Sequence, residues 1–282
     1  MEKKVVKRKE FLGEMAKELQ NFDTNDIKNV ICEVLCLKSK DYLLKEEFSD
    51  AEVGKLKKVV ERLKKNEPLD KILGKKCFYG RNFLTNEYVL SPRAETELLV
   101  EQSLNYLKNL SSKSVRVLDL CCGSGCIGLT IACQTNGSVQ VVLSDVSKPA
   151  LDVAKENGEK LKAKNVDYVL SDMFEGLKDF KKFDIIISNP PYIESGEINF
   201  LSPQVKDYDP IISLDGGEDG LKFYRQIATN AKKYLKKNGV IFMEIGCNQG
   251  ESVQKIFANN GYVTKLLKDY SHNDRIVIAK CG

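Results

Sequence analysis

Between residues 8 and 73 the apolar positions return at helical spacing. Phe11, Met15 and Leu19 form one stripe, Ile27, Val30, Ile31, Val34 and Leu35 a second, and Val53, Leu56, Val59, Val60 and Leu63 a third. The polar breaks NFDTND, KSKDY and KNEPLD separate them, so residues 1–73 read as a small helical bundle. Residues 74–92, GKKCFYGRNFLTNEYVLSP, switch to aromatic and β-branched side chains with turn signals at Gly80 and Thr85-Asn86, which predicts a β-hairpin linker. Beyond it, apolar strands alternate with helical patterns. Strands are expected at 115–120, 139–144, 166–171, 183–188, 240–245, about 262–267 and 275–280, with a helix over 221–237. Near-continuous apolar strands joined by helices are covered on both faces, so residues 93–282 read as an α/β domain built on a seven-stranded, mostly parallel sheet.

The bulk properties narrow the function. At 282 residues the chain is long enough for two domains, and its 42% apolar and 30% charged content suits an ordinary globule. The net charge is only +4, and the lysine runs at 3–9 and 55–65 read as solvated helix faces rather than a phosphate-binding stripe. Direct nucleic-acid binding is therefore not expected. One histidine, His272, argues against Ser-His-Asp or Cys-His nucleophile chemistry. Nine cysteines without a CxxC pair sit mostly in apolar segments, so no metal site is expected and the thiols read as reduced packing residues. No apolar run approaches the roughly 18 residues of a membrane span, and no signal peptide is visible; a cytoplasmic protein without a membrane partner, and a monomer, is expected.

Two stretches carry candidate chemistry. VLDLCCGSGCIG, residues 117–128, runs from a strand through a glycine-rich turn into a helix, and Gly123, Gly125 and Gly128 satisfy G-x-G-x-x-G. That spacing alone suggests a dinucleotide. However, Asp119 stands at the strand end, where a carboxylate would disfavour a pyrophosphate and favour an ammonium or sulfonium cation. Asp145 ends the second strand, 20 residues past Gly125, and suits two ribose hydroxyls; Asp172 and Met173 end the third and suit an adenine ring. Any one of these acids could simply cap the next helix. With the glycine loop they suit a cofactor that has a cationic amino acid end and a neutral adenosine end, the character of S-adenosylmethionine, which would leave S-adenosylhomocysteine as product.

The second stretch is FDIIISNPPYI, residues 183–193, a buried strand that stops against two prolines. A planar amide is a weak nucleophile, and methylating it requires both of its N–H bonds to be held. The side-chain oxygen of Asn189 and the backbone carbonyl of Pro190 offer two acceptors, Pro191 biases Pro190 away from the helical region, and the Tyr192 ring can cover the flat group. A bare turn ending a strand is the plainer reading of the same residues.

With both motifs placed, the chain resembles the release-factor glutamine methyltransferase family, class I S-adenosylmethionine-dependent enzymes with a Rossmann-like sheet. The likeness runs through EPLDKILGKKCFYG, VLSPRAETELLVE, DLCCGSGCIGL, SNPPYI, DPIISLDGGEDGLKFYRQI, NGVIFMEIGCNQGE and DYSHNDRIVIAK. It implies methyl transfer to the side-chain amide of the glutamine in the Gly-Gly-Gln motif of peptide chain release factors. It also implies that Cys121, Cys122, Gly123, Ser124 and Gly125, with Asp145, Asp172, Met173 and Asn189, line the cofactor site, and that the N-terminal bundle helps to dock the substrate. Two departures stand out: Ala94 where the family often has proline, and Cys121-Cys122 where many members have glycine and threonine. In SPRAETE, Ser91 is expected to cap a helix that begins with Pro92; a role for Arg93 or Glu95 at the substrate mouth is the other reading. DGGEDG, residues 215–220, reads as a linker into the next helix or as a flap. Because Asn-Pro-Pro-Tyr is shared with enzymes acting on base amines, a methyltransferase for an exocyclic amine of a nucleic-acid base is the alternative. A ribosomal-protein glutamine methyltransferase and a catalytically silent binding module are more distant readings.

Overall fold

The computed structural model describes residues 5–110 and 114–281. The first two positions of the lysine run at 3–9 lie outside them. The chain divides into two compact units, residues 1–74 and 75–282.

The first unit contains β1 (Val5–Lys7), α1 (Arg8–Glu18), α2 (Thr24–Val34), α3 (Ser39–Leu44), β2 (Glu47–Ser49), α4 (Asp50–Leu63) and α5 (Leu69–Leu73). Both α2 and α4 start at reciprocal caps, Asp23 with Asp26 and Ser49 with Glu52, each satisfying backbone N–H groups that a helix leaves open. The apolar stripes converge on a core in which Phe11 and Phe48 meet edge to face at 5.5 Å. The antiparallel pair β1–β2 has no counterpart in the sequence reading, since three residues carry no period.

The second unit opens with the hairpin β3 (Lys75–Phe78) and β4 (Arg81–Leu84), turned through Tyr79 and Gly80, both at positive φ. Phe78 and Phe83 are buried in this unit's core beside Leu99. There follow α6 (Thr96–Lys108), β5 (Arg116–Leu120), α7 (Cys126–Gln134), β6 (Gln140–Asp145), α8 (Lys148–Lys160), β7 (Val166–Leu170) and β8 (Phe183–Ser188). The chain ends with α9 (Pro203–Lys206), α10 (Lys222–Tyr234), β9 (Leu235–Glu244), α11 (Gly250–Asn259), β10 (Tyr262–Lys268) and β11 (Asp274–Cys281).

The seven strands order as β10-β11-β9-β8-β5-β6-β7, with β11 antiparallel to both neighbours and the rest parallel. Side chains alternate between two cores. Val117, Leu143, Ile185 and Phe242 face one; Leu118, Val142, Ile186 and Ile241 face the other. The strand order reverses between β5 and β8, and such a switch leaves a crevice at the carboxyl ends of the strands. Among the described residues no helix is long and apolar enough to cross a membrane.

Candidate active site

The three glycines of G-x-G-x-x-G, two in the loop after β5 and one in the first turn of α7, do three different things. Gly125 has φ +76°, and a Cβ there would lie 2.8 Å from the Leu143 side chain. A Cβ at Gly128 would lie 2.9 Å from Asp119 Oδ2, so the missing side chain lets α7 settle against β5. At Gly123, with φ +52°, a Cβ would meet nothing within 4 Å; it would project into open space at the strand ends. Cys121 also takes a left-handed φ of +61°, a conformation that glycine adopts more cheaply.

Asp119 differs from expectation. It is fully buried; Oδ2 accepts the Gly128 N–H at 2.8 Å, while Oδ1 has no hydrogen-bond partner. Burial, reinforced by the charge of Asp145, pushes its pKa up to about 7. The residue stands behind the glycine loop, because alternation along β5 and the close approach of Gly128 turn its carboxylate under α7.

In front of the loop lies an open cleft. Cys121, Cys122, Gly123, Ser124, Asp145, Asp172, Met173, Asn189 and Pro191 all help to wall it. Asp119, Gly125 and Pro190 do not; Gly125 faces the core and Pro190 is buried. Asp145 is fixed by two backbone donors, Gly123 N–H to Oδ2 at 2.8 Å and Ser147 N–H to Oδ1 at 2.9 Å, and burial raises its pKa. Asp172 is exposed at the rim, while Met173 is buried with its carbonyl accepting from the Ser171 hydroxyl at 2.7 Å. Burial pushes the Cys121 and Cys122 thiols well up and Cys126 up to about 12, which keeps all three protonated and unreactive. Sequence reasoning missed Val89, Val146, Ile212 and Phe223 on this wall. They are ordinary apolar residues and carry no local signal.

A second cleft shares Leu90, Arg93, Asn189 and Ser213 with the first and adds Glu95, Tyr192, Glu244 and Arg275. The parallel register that pairs Ser188 with Met243 delivers Asn189 and Glu244 to the same rim. Thr96 Oγ1 donates to Glu244 Oε2 at 2.6 Å, and Asn189 Nδ2 donates to Thr96 Oγ1 at 3.4 Å. Burial pushes the Glu244 carboxyl up to about 7 against the opposing effects of Thr96 and Arg275. The Tyr192 hydroxyl is pushed up to about 12, by burial first and the nearby Glu244 second, so the ring presents a neutral phenol.

The segment SPRAETE does not start a helix at Ser91. Helix α6 begins at Thr96, and residues 91–93 line the first cleft in non-helical backbone. Ser91 is buried there, and Arg93 Nη2 donates to Asp209 Oδ2 at 2.7 Å. Arg93 and Glu95 both reach the second cleft. Loop 215–220 leads into α10, as the linker reading expects, and is tied down along its length. Ile193 N–H donates to the Leu214 carbonyl at 2.9 Å, Gly216 N–H to the Ile193 carbonyl at 2.7 Å, and Ser195 N–H to the Gly217 carbonyl at 2.9 Å. A Cβ at Gly216 would lie 2.7 Å from Tyr192 Cα, so the loop lies directly against the backbone after Pro191. Gln249 Nε2 completes the brace, donating to the Tyr192 carbonyl at 2.9 Å. Thr96, Glu244 and Arg275 were not singled out from sequence, although a lone acid closing the apolar run VIFME was a usable signal for Glu244.

Residues 96–204 match the Methyltransferase small domain family. The chain is 41% identical over 260 residues to the release factor glutamine methyltransferase of Thermodesulfovibrio yellowstonii, covering 92% of each. It is 40% identical over 255 residues to that of Clostridium acetobutylicum, covering 87% of each. Among solved structures, a methyltransferase from Pyrococcus furiosus shares the fold, with a TM-score of 0.52 at 17% identity over 73% of this chain and 92% of that one. Relatives this similar, matched over most of both lengths, show that the chain belongs to the release factor glutamine methyltransferase family.

Proposed function

We propose that this chain transfers a methyl group from S-adenosylmethionine to the side-chain amide nitrogen of the glutamine in the Gly-Gly-Gln motif of peptide chain release factors. The observation that carries the reading is Asn189, which lines both clefts and so stands between a donor and an acceptor site. The first cleft is the one walled by the glycine loop, Asp145 and Asp172. Its floor is open at Gly123, where a Cβ would intrude, and the Asp145 carboxylate is held at the end of β6 with lone pairs left for ribose hydroxyls. Met173 and Asp172 would meet the adenine, and residues 121–124 would follow the amino acid end, with Gly125 closing the turn behind them. Asp119 would brace that loop from behind.

When bound, the cofactor supplies a methyl group on a sulfonium, a leaving group good enough for a weak nucleophile. The chain supplies position. Asn189 Oδ1 and the Pro190 carbonyl accept the two N–H bonds of the glutamine amide, Pro191 shapes the turn between them, and the Tyr192 ring covers the amide plane and excludes water. Holding a nucleophile in line in this way is worth on the order of 7 to 11 kcal/mol of barrier. No strong base is needed, because the nitrogen becomes acidic once it carries the methyl. The N-terminal helical unit serves to dock the release factor, and the enzyme acts as a cytoplasmic monomer.

Intact-mass measurement of a release factor before and after treatment, with and without cofactor, tests the reading. One added methyl group is expected, and none when the Gly-Gly-Gln glutamine is replaced by alanine. Methyl transfer to duplex DNA alone would overturn it.

A further inference from the structure

Glu244 closes β9 with 2% exposure, yet it is a wall residue of the acceptor cleft. Its Oε2 takes the Thr96 hydroxyl proton at 2.6 Å, and the same hydroxyl oxygen faces Asn189 Nδ2 at 3.4 Å. In its ionised form, which Arg275 and the Thr96 hydroxyl favour, the Glu244 carboxylate can only accept, so the Thr96 hydroxyl donates to it. A hydroxyl has one proton, so its oxygen is left only with lone pairs for its other neighbour. The Asn189 atom facing it must therefore be the donor, the NH2 group. Were the amide reversed, Oδ1 would face those lone pairs with no proton between two acceptors. The polarity of this chain sets the amide orientation.

Resting on the methylation of a glutamine amide proposed above, we propose that Glu244, acting through the Thr96 hydroxyl, is a positioning residue that keeps the Asn189 side-chain oxygen turned toward the acceptor. The three groups come from β9, the first turn of α6 and the end of β8, and the β8–β9 register fixes two of them side by side. Arg275 on β11 lines the same cleft and favours the ionised form of Glu244. Glu244 and Arg275 line the acceptor cleft and not the cofactor cleft, whereas Thr96 lines the cofactor cleft. Because Thr96→Val keeps the bulk of that wall, loss of the hydroxyl shows in turnover more than in cofactor binding.

Thr96→Val removes the hydroxyl while keeping the shape of the side chain. Thr96→Ser keeps the hydroxyl. Glu244→Gln replaces an obligate acceptor with an amide that can present either polarity, so it tests the other end of the chain. Each variant is measured for kcat on a release factor, for cofactor Kd by calorimetry and for melting temperature. Thr96→Val and Glu244→Gln are expected to lower kcat, the former about 10- to 100-fold, with cofactor Kd within about threefold of wild type. Thr96→Ser should recover most of that loss. Unchanged kcat in Thr96→Val or in Glu244→Gln overturns the proposal, as does a serine variant no better than valine at equal melting temperature. Asn189→Ala is run beside them to separate the two levels. Normal turnover by that variant removes Asn189 from the reaction altogether, whereas its inactivity beside a fully active Thr96→Val removes the positioning chain alone.

Discussion

Asp119 is a carboxylate stored in the wrong solvent, and Asp119→Asn measures the cost. Its pKa stands at about 7 instead of 3.8, with burial as the first cause and the charge of Asp145 adding to it. At about 1.4 kcal/mol per pH unit, that displacement corresponds to about 4 kcal/mol. The folded state binds the proton more tightly than the unfolded chain. The stabilisation is therefore fully present below about pH 4, drains away as the pH rises toward about 7, and stays lost above. Asparagine is neutral throughout. The variant also has fixed costs, including an Nδ2 group placed where Oδ1 has no partner, but these do not change with pH. The stability difference between variant and wild type should therefore move by about 4 kcal/mol in the variant's favour between pH 4 and pH 8. Urea unfolding without cofactor, read by hydrogen exchange in peptides spanning β5 and α7, reports this unit specifically. Asp145 and Glu244 also have raised pKa values, so a residual slope of the same sign remains in the variant and cancels in the difference. A difference that stays flat within about 1 kcal/mol across that range would refute the buried-charge argument.

Other expectations follow from the same geometry. Asn189→Ala should cut turnover at least about 10-fold, since an unmet buried N–H costs about 1 to 3 kcal/mol, while cofactor affinity measured by calorimetry moves only a few fold. Asp145→Ala should raise cofactor Kd at least about 100-fold, because hydrogen bonds to a charged acceptor are each worth about 1.5 to 3 kcal/mol; an unchanged Kd would remove it from the ribose site. Gly125→Ala combines a left-handed φ with a Cβ 2.8 Å from Leu143, and should lose about 2 to 5 kcal/mol of stability in a melt. Gly123→Ala has the backbone strain without the clash and should lose only about 1 to 2 kcal/mol, yet its methyl group enters the cleft and should weaken cofactor binding the more of the two.

Much of this protein is written locally along the chain. The seven strands lie within a few residues of the apolar runs that predict them, except that β9 starts at Leu235, five residues earlier than its run. The glycine loop and the Asn-Pro-Pro-Tyr turn follow β5 and β8 as expected, because a strand's period and the φ preferences of glycine and proline act between near neighbours. What the tertiary structure decided is where those local pieces point. Asp119 and Asp145 look equivalent in sequence, two acids at two strand ends. Only packing against Gly128 hides the first, and only the Gly123 and Ser147 N–H groups hold the second at the cleft. Thr96, Asn189 and Glu244 are spread over 148 positions, and no local pattern joins them. Their meeting depends on the register of β8 against β9 and on α6 starting four residues later than a Pro92 start predicts. Such contacts are set by which surfaces bury each other across the whole domain, a global balance of packing and desolvation that short-range periodicity does not carry.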